Sequence, residues 1–377
     1  MNFNRRHFLI SLSSGLGLIF YPCKKLQQIK TTNIKNINSQ ITGNSTVSSS
    51  EIPTPSALAP KGMFSPKKRD IRLLIISDLN SSYGSTNYQI QVEKTIPLIP
   101  EWKPDLLLCA GDMIAGQKLS LTEENIQAMW DGFDRYIATP LRQVKQPFGI
   151  TIGNHDASGY LKKSGDRYMY EKERRQAQIY WRKHQNDLNI NFLEADGFPF
   201  YYSFIHKEIF YLIWDASTFD IPTKQLKWVE KSLTSSQAQN AKMRIVMGHL
   251  PLYAVGVGRN KFGDVLNKAE KLQTLLEKYN VYLYISGHHH AYFPGYKGNL
   301  KLLHAGALGS GPRVLLNSNL PPKNTLTVLD IDLEQNQSFY TTYDMKTMTV
   351  FNPQELPEKI TGFNGWVLRE PKAVLLS

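Results

Sequence analysis

An α/β fold with mixed sheets is what this sequence predicts, on three observations. From about residue 70 onward, short apolar runs alternate with amphipathic stretches. The late apolar runs 325–333, 338–343 and 348–351 follow one another with no helical stretch between them, so purely parallel sheets are not expected. Nearly every earlier run ends in a residue able to bind a metal.

The runs 71–77, 105–110, 148–152, 209–214, 244–247, 281–286 and 300–304 are the strand candidates. Between them, 88–99, 122–137, 166–188, 224–233 and 268–279 carry apolar residues at helical spacing. The aromatic cluster Phe198, Phe200, Tyr201, Tyr202 and Phe204 is expected to pack in the core and its turns. At 377 residues, 41% hydrophobic and 20% charged, the chain can bury one large core.

The formal charge of +12 is concentrated at the start, where residues 1–70 hold 10 Lys/Arg against 2 Asp/Glu. That leaves a surplus of only +4 for the rest, so no specific nucleic-acid partner is expected. Two cysteines exclude a disulfide framework. Cys109 lies inside an apolar run and reads as core, whereas Cys23 follows the N-terminal apolar segment.

Four segments are expected. Residues 1–23 open with Arg5-Arg6-His7-Phe8-Leu9 and continue without charge to Tyr21, which resembles a twin-arginine export signal. It implies an exported protein, periplasmic or extracellular, tethered to a membrane only if this segment stays uncut. Residues 24–69 are rich in Ser, Thr, Asn, Gln and Pro and read as a disordered linker. Residues 70–353, late strands included, read as one folded domain and 354–377 as a C-terminal tail.

Chemistry enters where the strand candidates end. In order, they deliver Asp78, Gly111-Asp112, Gly153-Asn154-His155-Asp156, Gly248-His249 and Gly287-His288-His289-His290. Asp and His bind first-row divalent metals, and Asn offers a neutral amide oxygen. Ligand sites of open α/β sheets form at the carboxyl ends of strands. Any one of these pairs is commonplace, since Asp can cap a helix and Asn can make a turn; their joint order is not.

That order resembles the calcineurin-like metallophosphoesterases, from about Arg72 to His290. The resemblance implies a four-layer αββα sandwich with two mixed β-sheets and hydrolysis of phosphomonoesters or phosphodiesters at a dinuclear centre. It implies two divalent or trivalent transition-metal ions (Mn, Fe or Zn), with Asp112 bridging, Asp78 and His290 on the first ion, and Asn154, His249 and His288 on the second. A hydroxide between the ions would be the nucleophile. His155 would protonate the leaving oxygen, with Asp156 orienting its ring. The partner would be a small phosphate ester.

One departure stands out. Most members have Asp-x-His where this chain has Asp78-Leu79-Asn80, so an amide replaces a first-metal imidazole. The purple acid phosphatases also lack that histidine, but they use a tyrosine three residues after the Gly-Asp aspartate, and Ala115 stands there. A non-catalytic metal- or phosphate-binding relative is therefore the alternative, against which stands the His155-Asp156 pair. Tyr83, His289, Arg259, Lys261, His304 and Arg313 have ordinary packing or solvated readings beside any role at the site.

Overall fold

The computed structural model describes residues 58–309 and 311–371. The expected export signal, Cys23 and most of the expected linker lie outside the described residues.

Fifteen strands are described. They are β1 (Ile71–Ile76), β2 (Leu106–Cys109), β3 (Phe148–Ile150), β4 (Asn191–Glu194), β5 (Tyr202–His206), β6 (Ile209–Ile213), β7 (Met243–Met247), β8 (Leu283–Ser286), β9 (Phe293–Lys297), β10 (Leu300–His304), β11 (Thr325–Asp332), β12 (Gln337–Asp344), β13 (Thr349–Val350), β14 (Lys359–Gly362) and β15 (Gly365–Arg369). Six of them form one sheet, in the order β13-β12-β11-β1-β2-β3, and nine form the other, β14-β15-β9-β10-β8-β7-β6-β5-β4. Both are mixed. β1, β2 and β3 run parallel, while β11 joins β1 antiparallel. In the larger sheet β6, β7, β8 and β10 are parallel, and hairpins finish the edges.

The central strands are buried on both faces, as parallel strands between covering layers must be. Between the sheets, the Tyr202 hydroxyl of β5 reaches across to donate to the Ile150 carbonyl of β3 at 2.6 Å. Phe204 packs where a Cβ on Gly149 would sit, 3.2 Å from its ring. Helices cover the sheets: Thr223–Leu233 lies on β6, Ala269–Lys278 on β10, and Glu171–Lys183 sets Trp181 against Phe148 of β3.

The aromatic cluster is more regular than expected, because Tyr202 and Phe204 are strand residues, with Phe204 stacked on Tyr211 of β6. Two segment boundaries need correction. Residues 358–369, expected as tail, include the β14–β15 hairpin, which pairs with β9 through Leu368 and Arg369. The end of the expected linker is likewise part of the fold, for the carbonyls of Leu58 and Pro66 accept from the buried Arg72 guanidinium and that of Phe64 accepts from Tyr343. The helix expected over 166–188 starts only at Glu171.

Candidate metal centre

The carboxyl ends of β1, β2 and β3 in one sheet meet those of β7 and β8 in the other, and backbone bonds lock the loops that follow. Asp78 N donates to Gly111 O at 2.9 Å, Asn80 N to Asp112 O at 3.1 Å, and Gly287 N to His249 O at 3.0 Å. Asp78, Asp112, His288 and His290 all take positive φ, between 52° and 64°. Non-glycine residues there cost about 1–2 kcal/mol each, and such strain clusters at functional sites. The glycines serve close approach: a Cβ on Gly153 would lie 2.1 Å from Asp112 Oδ1, and one on Gly287 2.0 Å from Ser77 Oγ.

Two groups of donors result, sharing one carboxylate. Asp112, His249 and His288 bring one donor atom each within 4.8 Å of one another, and so do Asp78, Asp112 and His290. All five residues are buried. His249 Nε2 lies 3.2 Å from Asp112 Oδ2 and 3.0 Å from Asn154 Oδ1; His290 Nε2 lies 3.2 Å from Asp78 Oδ1.

The backs of these side chains are fastened, which decides the face they present. His249 Nδ1 meets the Ala110 carbonyl at 2.7 Å and His290 Nδ1 the Gly311 carbonyl at 3.0 Å. A carbonyl only accepts, so the proton sits on Nδ1 and Nε2 is left to face the centre. His288 is reversed: its Nε2 meets the Asp264 carboxylate at 3.2 Å, and its buried Nδ1 has no hydrogen-bond partner. Asp78 Oδ2 accepts from Ser77 Oγ and His288 N, leaving Oδ1 bare; Asp112 Oδ1 accepts from His155 N, leaving Oδ2 bare. The Asn154 amide is turned by Gln117, whose Oε1 accepts from Nδ2 at 2.7 Å. Asn80 is buried too, with Oδ1 unpartnered.

Buried polar atoms without partners cost about 1–3 kcal/mol each, and here they converge. Lone pairs on Asp112, Asn154 and His249 at 3.0–3.2 Å require a positive charge among them. Without metal, a proton on His249 supplies it. Burial pushes its pKa down, but the Asp112 and Asp78 carboxylates outweigh that and raise it to about 9. Burial pushes Asp112 up, yet His249 and His155 hold it below the usual carboxylate range. Burial, then the Arg259 and His249 charges, keep the His288 pKa well below its usual value. Neutral imidazoles, carboxylates and amide oxygens are a donor set for transition metals, and the residues fit two such ions.

His155 is half-buried, its Nδ1 at 3.1 Å from the Gly116 carbonyl, so Nε2 is its open nitrogen. Asp156 does not orient that ring. It is fully buried and accepts four backbone N–H bonds, from Asp112, Met113, Ile114 and Gly153, at 2.7–2.9 Å. It ties the loop after β2 to the loop after β3. Tyr83, exposed, lies against the His155 ring at 5.1 Å. His289 is spent on backbone: Nδ1 accepts from Val255 and Gly256, and Nε2 donates to Asp264 O. His304 is buried between the carbonyls of Phe293 and Tyr253. Arg259 pairs with Asp264 at 2.8 Å; the Arg313 guanidinium reaches toward the Val257 carbonyl, while the Arg313 backbone N–H donates to His290 O. Ala115 is buried and brings no phenol.

Three residues the sequence did not single out support the centre: Asp264, Gln117 and Glu173. Glu173 Oε1 accepts the backbone N–H groups of Gln117 and Lys118, so it holds the loop whose Gly116 carbonyl fixes His155 and whose Gln117 fixes Asn154.

This fold and site define a metal-dependent phosphoesterase architecture. The chain belongs to the calcineurin-like phosphoesterase family, which matches residues 71–292. Among curated proteins it is similar to probable purple acid phosphatase 20 of Arabidopsis thaliana, 24% identical over 230 residues, covering 60% of this chain and 47% of that one. It is also similar to Fe(3+)-Zn(2+) purple acid phosphatase 12 of the same plant, 24% identical over 219 residues, 58% of this chain and 42% of the relative. The chain thus spans about half the length of the curated relatives it matches. A purple acid phosphatase from yellow lupin (Lupinus luteus) seeds shares the fold, with a TM-score of 0.53 at 17% identity over 77% of this chain and 54% of that one.

Proposed function

We propose that the protein hydrolyses small phosphomonoesters or phosphodiesters at a two-metal centre. The supporting observation is the sharing of Asp112 between two buried donor groups. On this reading Asp78, Asn80, Asp112 and His290 hold one ion, and Asp112, Asn154, His249 and His288 the other. Two ions bound there would supply Lewis acidity, acidifying water at neutral pH and neutralising charge on the phosphoryl oxygens.

The chain's own groups do the remainder. His155, its Nδ1–H held by Gly116, carries a proton on Nε2 to the departing oxygen. Asp156 holds the Asp112 loop and the Gly153 turn before Asn154 in register through four hydrogen bonds accepted from backbone N–H groups. Asn80 offers a neutral oxygen where an imidazole would add basicity, so the first ion is the more weakly held. The Arg5-Arg6 segment is read as the export address, and an exported enzyme of this kind would scavenge phosphate esters. No helix among the described residues is long and apolar enough to cross a membrane.

Elemental analysis of the purified protein, combined with hydrolysis of a chromogenic phosphate ester, tests this. Two ions per chain with turnover is the expected result. Bound metal without turnover across monoesters and diesters would leave a binding protein instead.

A further inference from the structure

A cleft of about 360 Å³ opens directly from the donor atoms, with Asn154 and His288 at its inner end. This size suits a small organic ligand. Tyr170 lines it too, but three aromatic side chains from three separate loops, Tyr160, Phe219 and Phe262, stand together on it. They form a continuous row: Tyr160 and Phe219 have ring centroids 5.9 Å apart, and Phe219 and Phe262 4.9 Å. Phe262 is 61% exposed and Tyr160 42% exposed, while Phe219 is partly buried against the core.

Large apolar rings left in water on one wall of a cleft mark a binding surface more than a packing solution. Folding gains little from Phe262 where it stands. The row also has cations beside it, for Arg259 and Lys261 line the same cleft. Arg259 spends one Nη on Asp264, and its Nε is buried without a partner. A purely aliphatic group would leave the Arg259 Nε donor unmatched and forgo the stacking energy that flat rings offer.

We propose that this cleft receives the leaving-group side of the substrate and selects phosphate esters whose alcohol carries a planar heteroaromatic ring, of which nucleoside phosphates are the simplest kind. This rests on the phosphoesterase reading above and narrows its substrate class. The phosphoryl group lies at the Asn154 and His288 end, and the ring lies along Phe219 between Tyr160 and Phe262. Stacking on one aromatic face is worth about 1–3 kcal/mol, enough to sort esters that share the same reacting atoms.

The test compares adenosine 5′-phosphate with ribose 5-phosphate, which lose the same primary alcohol oxygen and differ in the ring alone. The expected kcat/KM ratio favours the nucleotide by about tenfold, and falls toward one in Phe262→Ala and in Tyr160→Ala. Both side chains are exposed enough for the variants to fold. A wild-type ratio near one overturns the inference while leaving the phosphoesterase reading intact; so does a ratio that both variants retain. Should protein holding two ions hydrolyse neither ester and no chromogenic monoester or diester, the phosphoesterase reading fails. Calorimetric binding of the two esters then decides about the cleft, with tenfold tighter nucleotide binding supporting it and equal binding overturning it.

Discussion

At one end of β1 Arg72 is fully buried and spends all five of its donors. Nε and Nη2 grip the Asp330 carboxylate at 2.9 Å each, Nη1 reaches Leu58 O and Trp102 O, and Nη2 also reaches Pro66 O. At the other end Asp78 is equally buried, but it takes a positive φ and leaves Oδ1 bare beside His290. The first arrangement joins β1, β11 and the segment before β1 and asks nothing further. The second stores strain and unmet polarity that only a cation relieves. One strand thus separates what holds the fold from what the fold holds in readiness.

That contrast can be broken residue by residue. The largest effect is expected at the reactive end: His155→Ala should lower turnover by about 10²–10⁴, with metal content unchanged by elemental analysis. Full activity would remove His155 from the reaction. At the opposite end Asp330→Ala leaves a guanidinium buried without its counter-charge. It should cost about 3–5 kcal/mol of stability, read by denaturant unfolding, with turnover at 25 °C retained.

Asp264→Asn keeps the shape beside His288 Nε2 but removes the charge that makes that imidazole a better donor. Metal affinity should fall by about 10–100-fold, measured by competition with a chelator. The smallest effect is expected at Glu173. Burial raises its pKa from 4.5 to about 7, so the folded protein keeps a proton that the unfolded chain loses. Its contribution to stability therefore falls as pH rises from 4.5 to 7. Glu173→Gln still accepts the Gln117 and Lys118 N–H groups, and should be the more stable protein above pH 7 by about 1–3 kcal/mol, with no advantage below pH 4.5. Thermal melts across that range would show it.

How much of this was legible in the sequence follows from distance along the chain. The five candidate ligand motifs were legible because each follows an apolar run directly, so strand and donor are read together. Asp264 lies 24 residues before His288 in a loop with no periodicity, and Glu173 sits on a helix 55 and 56 residues from the amides it holds. Only tertiary contact gives them a role. Asp156 misled for a related reason: adjacency to His155 suggested a pair, but at the start of a helix the carboxylate turns to backbone N–H groups. β9 carries Pro294 and Gly295, residues that strands disfavour, so the run does not stand out as a strand. β4 is a short edge strand with alternating exposure, and β14–β15 is a short hairpin that gains its place only by pairing with β9.

The central claim is that Asp112 serves two ions at once. Counting ions per chain in the wild type and in Asp112→Ala, by elemental analysis of protein refilled with zinc or iron, tests it most directly. The account expects two ions in the wild type and neither retained in the variant. Two ions retained by Asp112→Ala, or none bound by the wild type, would contradict it.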